Sequence, residues 1–423
     1  MANKLSAREK LRRKYRYVDR SFILFLLTLF QVVSFTPVIL ADGEIHFKVT
    51  FMLLGYILFE WLYVSFMHTV MKKINFELEF IAFFLSGIGL CLSASVNENS
   101  MLKQLITVIG GVVVYDILLW YLKDVKRVMA IRPFLMVFTL LFFAGSFLYI
   151  YKFVGAINGA YNWISIKGIT LQPSEFVKIA FVFVGAATLD KLLTSKNIYL
   201  YILFAMGCIG ILFLMKDFGT ALIFFFTFIV IAFMRSGDVR SIIFICVAAL
   251  IGAVLILYFR PHVMARFEAY RHVWEDAYGR GYQQTRVLMY SVSGGLQGLG
   301  IGNGKLRHVY ASTTDLVYGM ICEELGLLIA IAIVIAFAFI AIYAVKSSKS
   351  APSTFYSISA CSAAAMILFQ TCLNIFGITD LLPLTGVTLP FISQGGSSMV
   401  CCWALFAFIK AADIRAYPKM YKT

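Results

Sequence analysis

TTDLVYGMICEELGLLIAIAIVIAFAFIAIYAVK (residues 313–346) passes from two threonines and an aspartate into an apolar run over 316–345. A helix that crosses a bilayer needs about 20 mainly apolar residues, so this stretch predicts a spanning segment with Asp315 at its threshold. Working outward, the same test is met at 22–41, 47–70, 77–96, 101–121, 132–153, 174–192, 197–215, 217–234, 240–259, 354–376 and 388–410. The expected architecture is therefore all-α, a polytopic membrane protein of about 12 transmembrane helices. Lys216-Asp217-Phe218-Gly219 supplies the turn inside the nearly continuous apolar run around 197–234.

Composition agrees. Hydrophobic residues make up 61% of the 423 and charged ones 14%, against roughly 45–50% and about 25% in ordinary globular chains. A soluble cytosolic enzyme is excluded, and so is a disordered chain, which needs low hydrophobicity and high charge.

The formal charge is +15, from 37 Lys and Arg against 22 Asp and Glu. In a soluble protein that excess would suggest nucleic acid. Here its distribution follows the positive-inside rule. With both termini cytoplasmic, 24 of the 37 cations fall on the inner side, eight of them between Lys4 and Arg20. Seven of the rest lie in the long loop 260–315, a length the rule excludes. The tail 1–21 reads as an anchor on the anionic inner leaflet and 411–423 as a second cytoplasmic tail. No nucleic-acid partner is expected. The eight cysteines lie in apolar runs without CxxC spacing and read as small buried hydrophobes.

Three outer segments depart from the apolar pattern: 154–174, 260–315 and 377–390. Long loops in compact proteins are usually functional or disordered, and their aromatic content argues against disorder. Ionisable residues within spans default to a functional hypothesis; they are Glu60, Asp116, Glu175, Lys178, Asp217, Asp315, Glu323, Glu324 and Asp380. Glu60 and Asp116 read as hydrogen-bonding across helices. Glu175 and Lys178, three residues apart, share a helix face and are either a packing ion pair or part of a site. Asp217 and Asp380, near helix ends, are caps or site residues. Asp315 has two readings: a partly desolvated general base, since burial raises a carboxyl above its usual value of about 3.9, or a helix N-cap.

Arg260, Arg266, Arg271, Arg280, Arg286, Lys305 and Arg307 interleave in the long loop with Tyr270, Trp274, Tyr278, Tyr282 and Tyr290. Such a surface attracts an anionic lipid head and stacks on sugar faces, or lies on headgroups as an interfacial segment. GGLQGLGIGNG (294–304) is not a phosphate-binding P-loop; it turns tightly or lets backbone approach a ligand. SQGGSS (393–398) opens the last span, where free N–H groups could hold an anion or small residues could serve packing.

In combination these residues resemble the RodA/FtsW/SpoVE (SEDS) family. The matching fragments are NWI (162–164), QPSEFVK (172–178), DFGTA (217–221), GYQ (281–283), GLGIGNG (298–304), TTDLVYGMICEELG (313–326) and NIFGITDLLPLTGVTLPFISQGGSS (374–398). They cover a core of 154–410, preceded by N-terminal helices over 22–153 that include about two more spans than the family has. The resemblance implies a peptidoglycan glycosyltransferase in the bacterial cytoplasmic membrane. It would polymerise lipid II at the outer face, in division, elongation or spore-wall synthesis. A class B penicillin-binding protein is the implied partner, membrane lipids surround it, and a divalent cation (Mg or Mn) is the implied cofactor. Asp315 would be the general base. Trp163, Glu175, Lys178, Arg266, Lys305, Arg307, Gln394 and Ser397 would bind substrate, with Arg266, Lys305 and Arg307 on the leaving pyrophosphate.

The chain departs from the family pattern at Asn162, where arginine is usual, at Thr313 in place of histidine, and at Gln394 in place of tyrosine. Thr388 in TGVTLP leans towards the division and sporulation branch. A lipid II flippase, or a non-catalytic scaffold of a wall-synthesis complex, are the competing functions.

Overall fold

The computed structural model describes residues 19–70, 75–189 (except 158, 167 and 168), 195–237, 270–413 (except 271 and 280), and the single positions 239, 240, 243 and 247. Its helices are α1 (Arg20–Ile39), α2 (Phe47–Thr69), α3 (Glu77–Val96), α4 (Glu98–Leu122), α5 (Val125–Tyr149), α6 (Pro173–Leu189), α7 (Ser195–Leu214) and α8 (Phe218–Ser236). After the short α9 (Tyr282–Ser293) come α10 (Val317–Lys349), α11 (Thr354–Ile378) and α12 (Gly396–Ala411). A two-stranded antiparallel hairpin, β1 (Ile164–Ile166) and β2 (Ile169–Leu171), lies between α5 and α6.

All helices except α9 correspond to expected spans; the expected span 240–259 falls almost wholly outside the described residues. Eight described helices are long and apolar enough to cross a membrane. The 17 residues of α6 rise about 26 Å, and Tyr199–Leu214 of α7 and the whole of α12 are apolar but shorter stretches. Several boundaries move for local reasons. α4 starts at Glu98 because the Asn97 side chain caps it, accepting from the Asn99 N–H at 2.8 Å. α5 starts at Val125 because Asp124 does the same for Lys126 at 3.0 Å. α12 starts at Gly396 rather than 388, because residues 388–395 are spent on loop contacts: Ser393 Oγ accepts from the Leu389 N–H at 2.7 Å and donates to the Thr314 carbonyl at 2.6 Å.

α12 is buried along its length and packs mainly on α4. The Trp403 ring sits 5.3 Å from Phe83, 5.8 Å from Tyr115 and 5.8 Å from Phe391. The described cysteines are free, and Cys91, Cys208, Cys401 and Cys402 are buried. At one end of α12, Lys410 Nζ is buried against Glu79 Oε2 (3.2 Å), the Asn75 carbonyl (2.8 Å) and the Tyr343 hydroxyl (3.1 Å). Tyr343 donates to Asp413 at 2.6 Å, and Tyr115 donates to Glu79. Buried charges survive only when paired and hydrogen-bonded, and this cluster ties α3, α4, α10 and α12 together.

α1 and α2 lie against α3 and α4. Gln31 Nε2 bridges both Glu60 oxygens at 2.9 and 3.1 Å. Tyr56 donates to the Phe83 carbonyl at 3.0 Å and Tyr63 to Asp116 at 3.2 Å. Glu60 and Asp116 thus do hydrogen-bond across helices.

Candidate active site

The three irregular segments, 154–174, 260–315 and 377–390, converge through their described residues on one cavity of about 490 Å³. Asn162 and Trp163 approach it from the strand side, Lys216 and Asp217 from the α7–α8 turn, and Gln283 and Gln284 from α9. Tyr310, Ala311 and Asp315 come from the segment before α10, and Asp380 with 383–386 from the segment after α11.

The backbone is strained where it rounds this cavity. Among the described residues four non-glycine ones have positive φ, and three of them line it: Lys216 (60°), Ala311 (64°) and Asp380 (57°). Such residues cost of order 1–3 kcal/mol each and cluster where function fixes the backbone.

Asp315 is half-buried, and it is not a cap: the N-cap position of α10 belongs to Leu316, whose side chain makes no capping bond. Its backbone is held instead. Asn374 Nδ2 donates to the Asp315 carbonyl at 2.9 Å and to the Val387 carbonyl at 2.6 Å. Gly386 faces the carboxylate; its φ is +71°, and a Cβ there would lie 3.4 Å from Asp315 Oδ2. Burial pushes the Asp315 carboxyl up to about 6, eased by the Thr314 side chain and reinforced by the negative charge of Asp217. A carboxylate with that value is ionised at neutral pH yet basic enough to take a proton.

Asp217 combines the two roles left open for it. Oδ1 caps α8 by accepting from the Thr220 N–H at 3.2 Å, and Oδ2 accepts from Asn162 and Gln172 side chains, both at 3.1 Å. The Gln172 N–H in turn donates to Ser397 Oγ at 3.3 Å. Trp163 stands on the wall beside this network.

The remaining sequence candidates lie elsewhere. Glu175 and Lys178 are buried and paired at 2.8 Å, with Lys178 also on Gln370 Oε1 at 2.8 Å, and neither lines the cavity. Gln394 and Ser397 also stay off the wall and brace it through Thr313 and Gln172. Lys305 is exposed and Arg307 half-exposed on the loop before the wall residues Tyr310 and Ala311. Arg266 lies outside the described residues.

The glycine run settles into a structural role. A π turn, Ile321–Leu325, near the start of α10 places Glu323 and Glu324 against it. The Glu323 carboxylate accepts from the Lys305 and Leu306 N–H groups at 2.7 and 2.9 Å, and Glu324 from Gly302 at 3.0 Å. At Gly298, φ is +84° and a Cβ would sit 2.2 Å from the Glu324 carbonyl oxygen. The run turns tightly, and the amides of Gly302 within it and of Lys305 and Leu306 just after it are committed to protein carboxylates. Asp217 and Asp380, open between cap and site from the sequence, both line the cavity, whereas Lys216 and Gln284 on its wall and Asn374 behind it carry no individual sequence signal.

Among the described residues no three His, Cys, Asp or Glu side chains are grouped to hold a metal ion. The Asp217 oxygens are already engaged, so the wall does not form a protein cage for a divalent cation.

Comparison with known proteins follows the same segments. Stage V sporulation protein E of Bacillus subtilis is 31% identical over 251 residues, 57% of this chain and 68% of that protein. A probable peptidoglycan glycosyltransferase FtsW from Wigglesworthia glossinidia brevipalpis is 31% identical over 288 residues, covering 65% and 76%. The peptidoglycan glycosyltransferase RodA of Mycobacterium tuberculosis is 27% identical over 323 residues, covering 73% and 69%. Among solved structures, RodA of Thermus thermophilus superposes with a TM-score of 0.60 at 20% identity, over 82% of this chain and 98% of that one. A chain from work on polymerization and crosslinking by a peptidoglycan synthase complex gives 0.68 at 19%, over 82% and 99%. Residues 80–417 match the family model described as "Cell cycle protein", so α1 and α2 precede the match. The chain belongs to the FtsW/RodA/SpoVE family of membrane proteins.

Proposed function

We propose that this chain is a peptidoglycan glycosyltransferase that polymerises lipid II, with Asp315 as general base. The observation that carries the reading is the placement of Asp315: a carboxyl pushed up to about 6 on the wall of a cavity built by the family's own motif segments. Relatives named as peptidoglycan glycosyltransferases support the reaction class.

The chemistry is an inverting displacement. The sugar to be transferred is α-linked to pyrophosphate, and the new bond is β-1,4. Asp315 accepts the proton of the acceptor 4-hydroxyl as that oxygen attacks the anomeric carbon. The bond to the pyrophosphate oxygen breaks, and the polyprenyl pyrophosphate leaves. Trp163 offers an aromatic face to a sugar, and Asn374 positions the base through its main chain. No step is routed through a metal ion; any divalent cation would accompany the substrate's pyrophosphate. The outward-facing site rests on the charge asymmetry of the loops. A class B penicillin-binding protein is the partner that would crosslink the product, in line with the synthase complex that shares this fold.

The test is polymerisation of purified lipid II, with and without the partner, by wild type and Asp315→Asn. Loss of polymer in the variant is expected. Undiminished polymer from Asp315→Asn would sink the base assignment. Translocation of lipid II in vesicles with no polymer formed would favour a flippase.

A further inference from the structure

Among the described residues the cavity wall carries three carboxylates, Asp217, Asp315 and Asp380, and a single cation, Lys216. That lysine has three properties together. It stands in the left-handed backbone region, at φ 60°, which lysine enters only at a cost. Its ammonium lies 5.5 Å from the centre of the Tyr161 ring, so the aromatic face restrains the flexible stem. And, among the described residues, no carboxylate lies within ion-pair distance of it, although its own neighbour is an aspartate. Asp217 instead spends its oxygens on Thr220, Asn162 and Gln172.

An unpaired ammonium in a half-enclosed cavity is a site for an anion, because preorganised charge is worth most where water is partly excluded. The backbone is strained to put it there, and neighbouring side chains draw its nearest carboxylate away. Asn162, which stands where the family has arginine, brings no charge to this wall, so the cation comes from the adjacent turn.

We propose that Lys216 is a substrate-binding residue that holds the pyrophosphate of the polyprenyl-linked sugar in this cavity. The inference rests on the glycosyltransferase reading and names the group that receives the leaving anion. In the reaction the ammonium holds the pyrophosphate equally well bound and departing, while Asp315 takes the acceptor proton.

The test separates binding from turnover. Binding of undecaprenyl pyrophosphate and of uncharged undecaprenol is measured in neutral detergent, where the ligand brings the only lipid phosphate. Wild type, Lys216→Arg and Lys216→Asn are compared. Asparagine tolerates the left-handed backbone better than lysine, so Lys216→Asn should melt no lower than wild type. The wild type and Lys216→Arg are expected to prefer the pyrophosphate, and Lys216→Asn to lose about ten-fold of that preference. In the polymerisation assay the same variant should raise the KM for lipid II by a similar factor, with kcat within about three-fold. An unchanged preference in Lys216→Asn would overturn the assignment of Lys216, whether or not polymer forms. Polymer lost in Asp315→Asn reports separately on the reaction itself.

Discussion

The hydroxyl of Thr313 donates to the side-chain amide oxygen of Gln394 at 3.0 Å, and the Gln394 N–H returns a bond to the Thr313 carbonyl at 2.8 Å. Both positions depart from the family pattern, and they are one contact. They clip the segment carrying Asp315 to the loop that leads into α12.

The two positions should therefore be coupled. Thr313→Ala and Gln394→Ala are each expected to cost about 1 kcal/mol, and the double variant less than their sum. A double-mutant cycle on thermal melting in detergent measures this. Additive losses would show that the contact is not felt.

A general base at Asp315 would act ionised, so activity is expected to be lost as pH falls through its value of about 6. The kcat/KM for polymerisation should rise along an acid limb centred near pH 6, whereas a solvent-exposed aspartate would place it near 3.9. Asp315→Asn should lower the rate by about 10³-fold or more across the range. A pH–rate profile in matched ionic strength checks both points.

Asn374 bridges two carbonyls, one of them that of Asp315. Asn374→Leu orphans both and should destabilise the protein by about 1–3 kcal/mol. If the bridge also positions the base, kcat falls by about ten-fold while KM for lipid II holds. Normalising kcat to the folded fraction, taken from thermal melting in detergent, distinguishes positioning from loss of folded protein, because a smaller active fraction also lowers apparent kcat at unchanged KM.

Glu175 and Lys178 are paired out of reach of the cavity. Lys178→Met leaves a buried carboxylate unpaired and should cost about 3–5 kcal/mol, whereas the double variant Glu175→Gln with Lys178→Met should recover much of it. Thermal melting gives the stabilities. Recovery of polymerisation in the double variant would argue against direct substrate contact, and its absence in a folded protein would support one.

Much of the architecture is legible in hydropathy, because burial in lipid leaves a signal about twenty residues long. The motif segments were also legible as an ordered set. Their meeting was not. Gln172, Asp217 and Ser397 lie far apart in sequence and join through side chains that carry no periodic signature. Asp315 looked equally like a cap until Leu316 took that place. The glycine run gave no hint that two buried glutamates would occupy amides at its end, those of Gly302, Lys305 and Leu306. The left-handed turn at Lys216 is a local conformation imposed by its surroundings, and composition cannot report it.

The buried Lys410–Glu79 contact joins α12 to α3 near the point where the family match begins. It works as a clasp: the matched portion of the chain closes on itself there, with its first and last helices fastened. α1 and α2 stand outside the clasp, and their own polar pair, Gln31 with Glu60, is internal to them. α1 and α2 thus sit beside the closure of the matched portion, docked on it through Tyr56 and Tyr63, rather than within it.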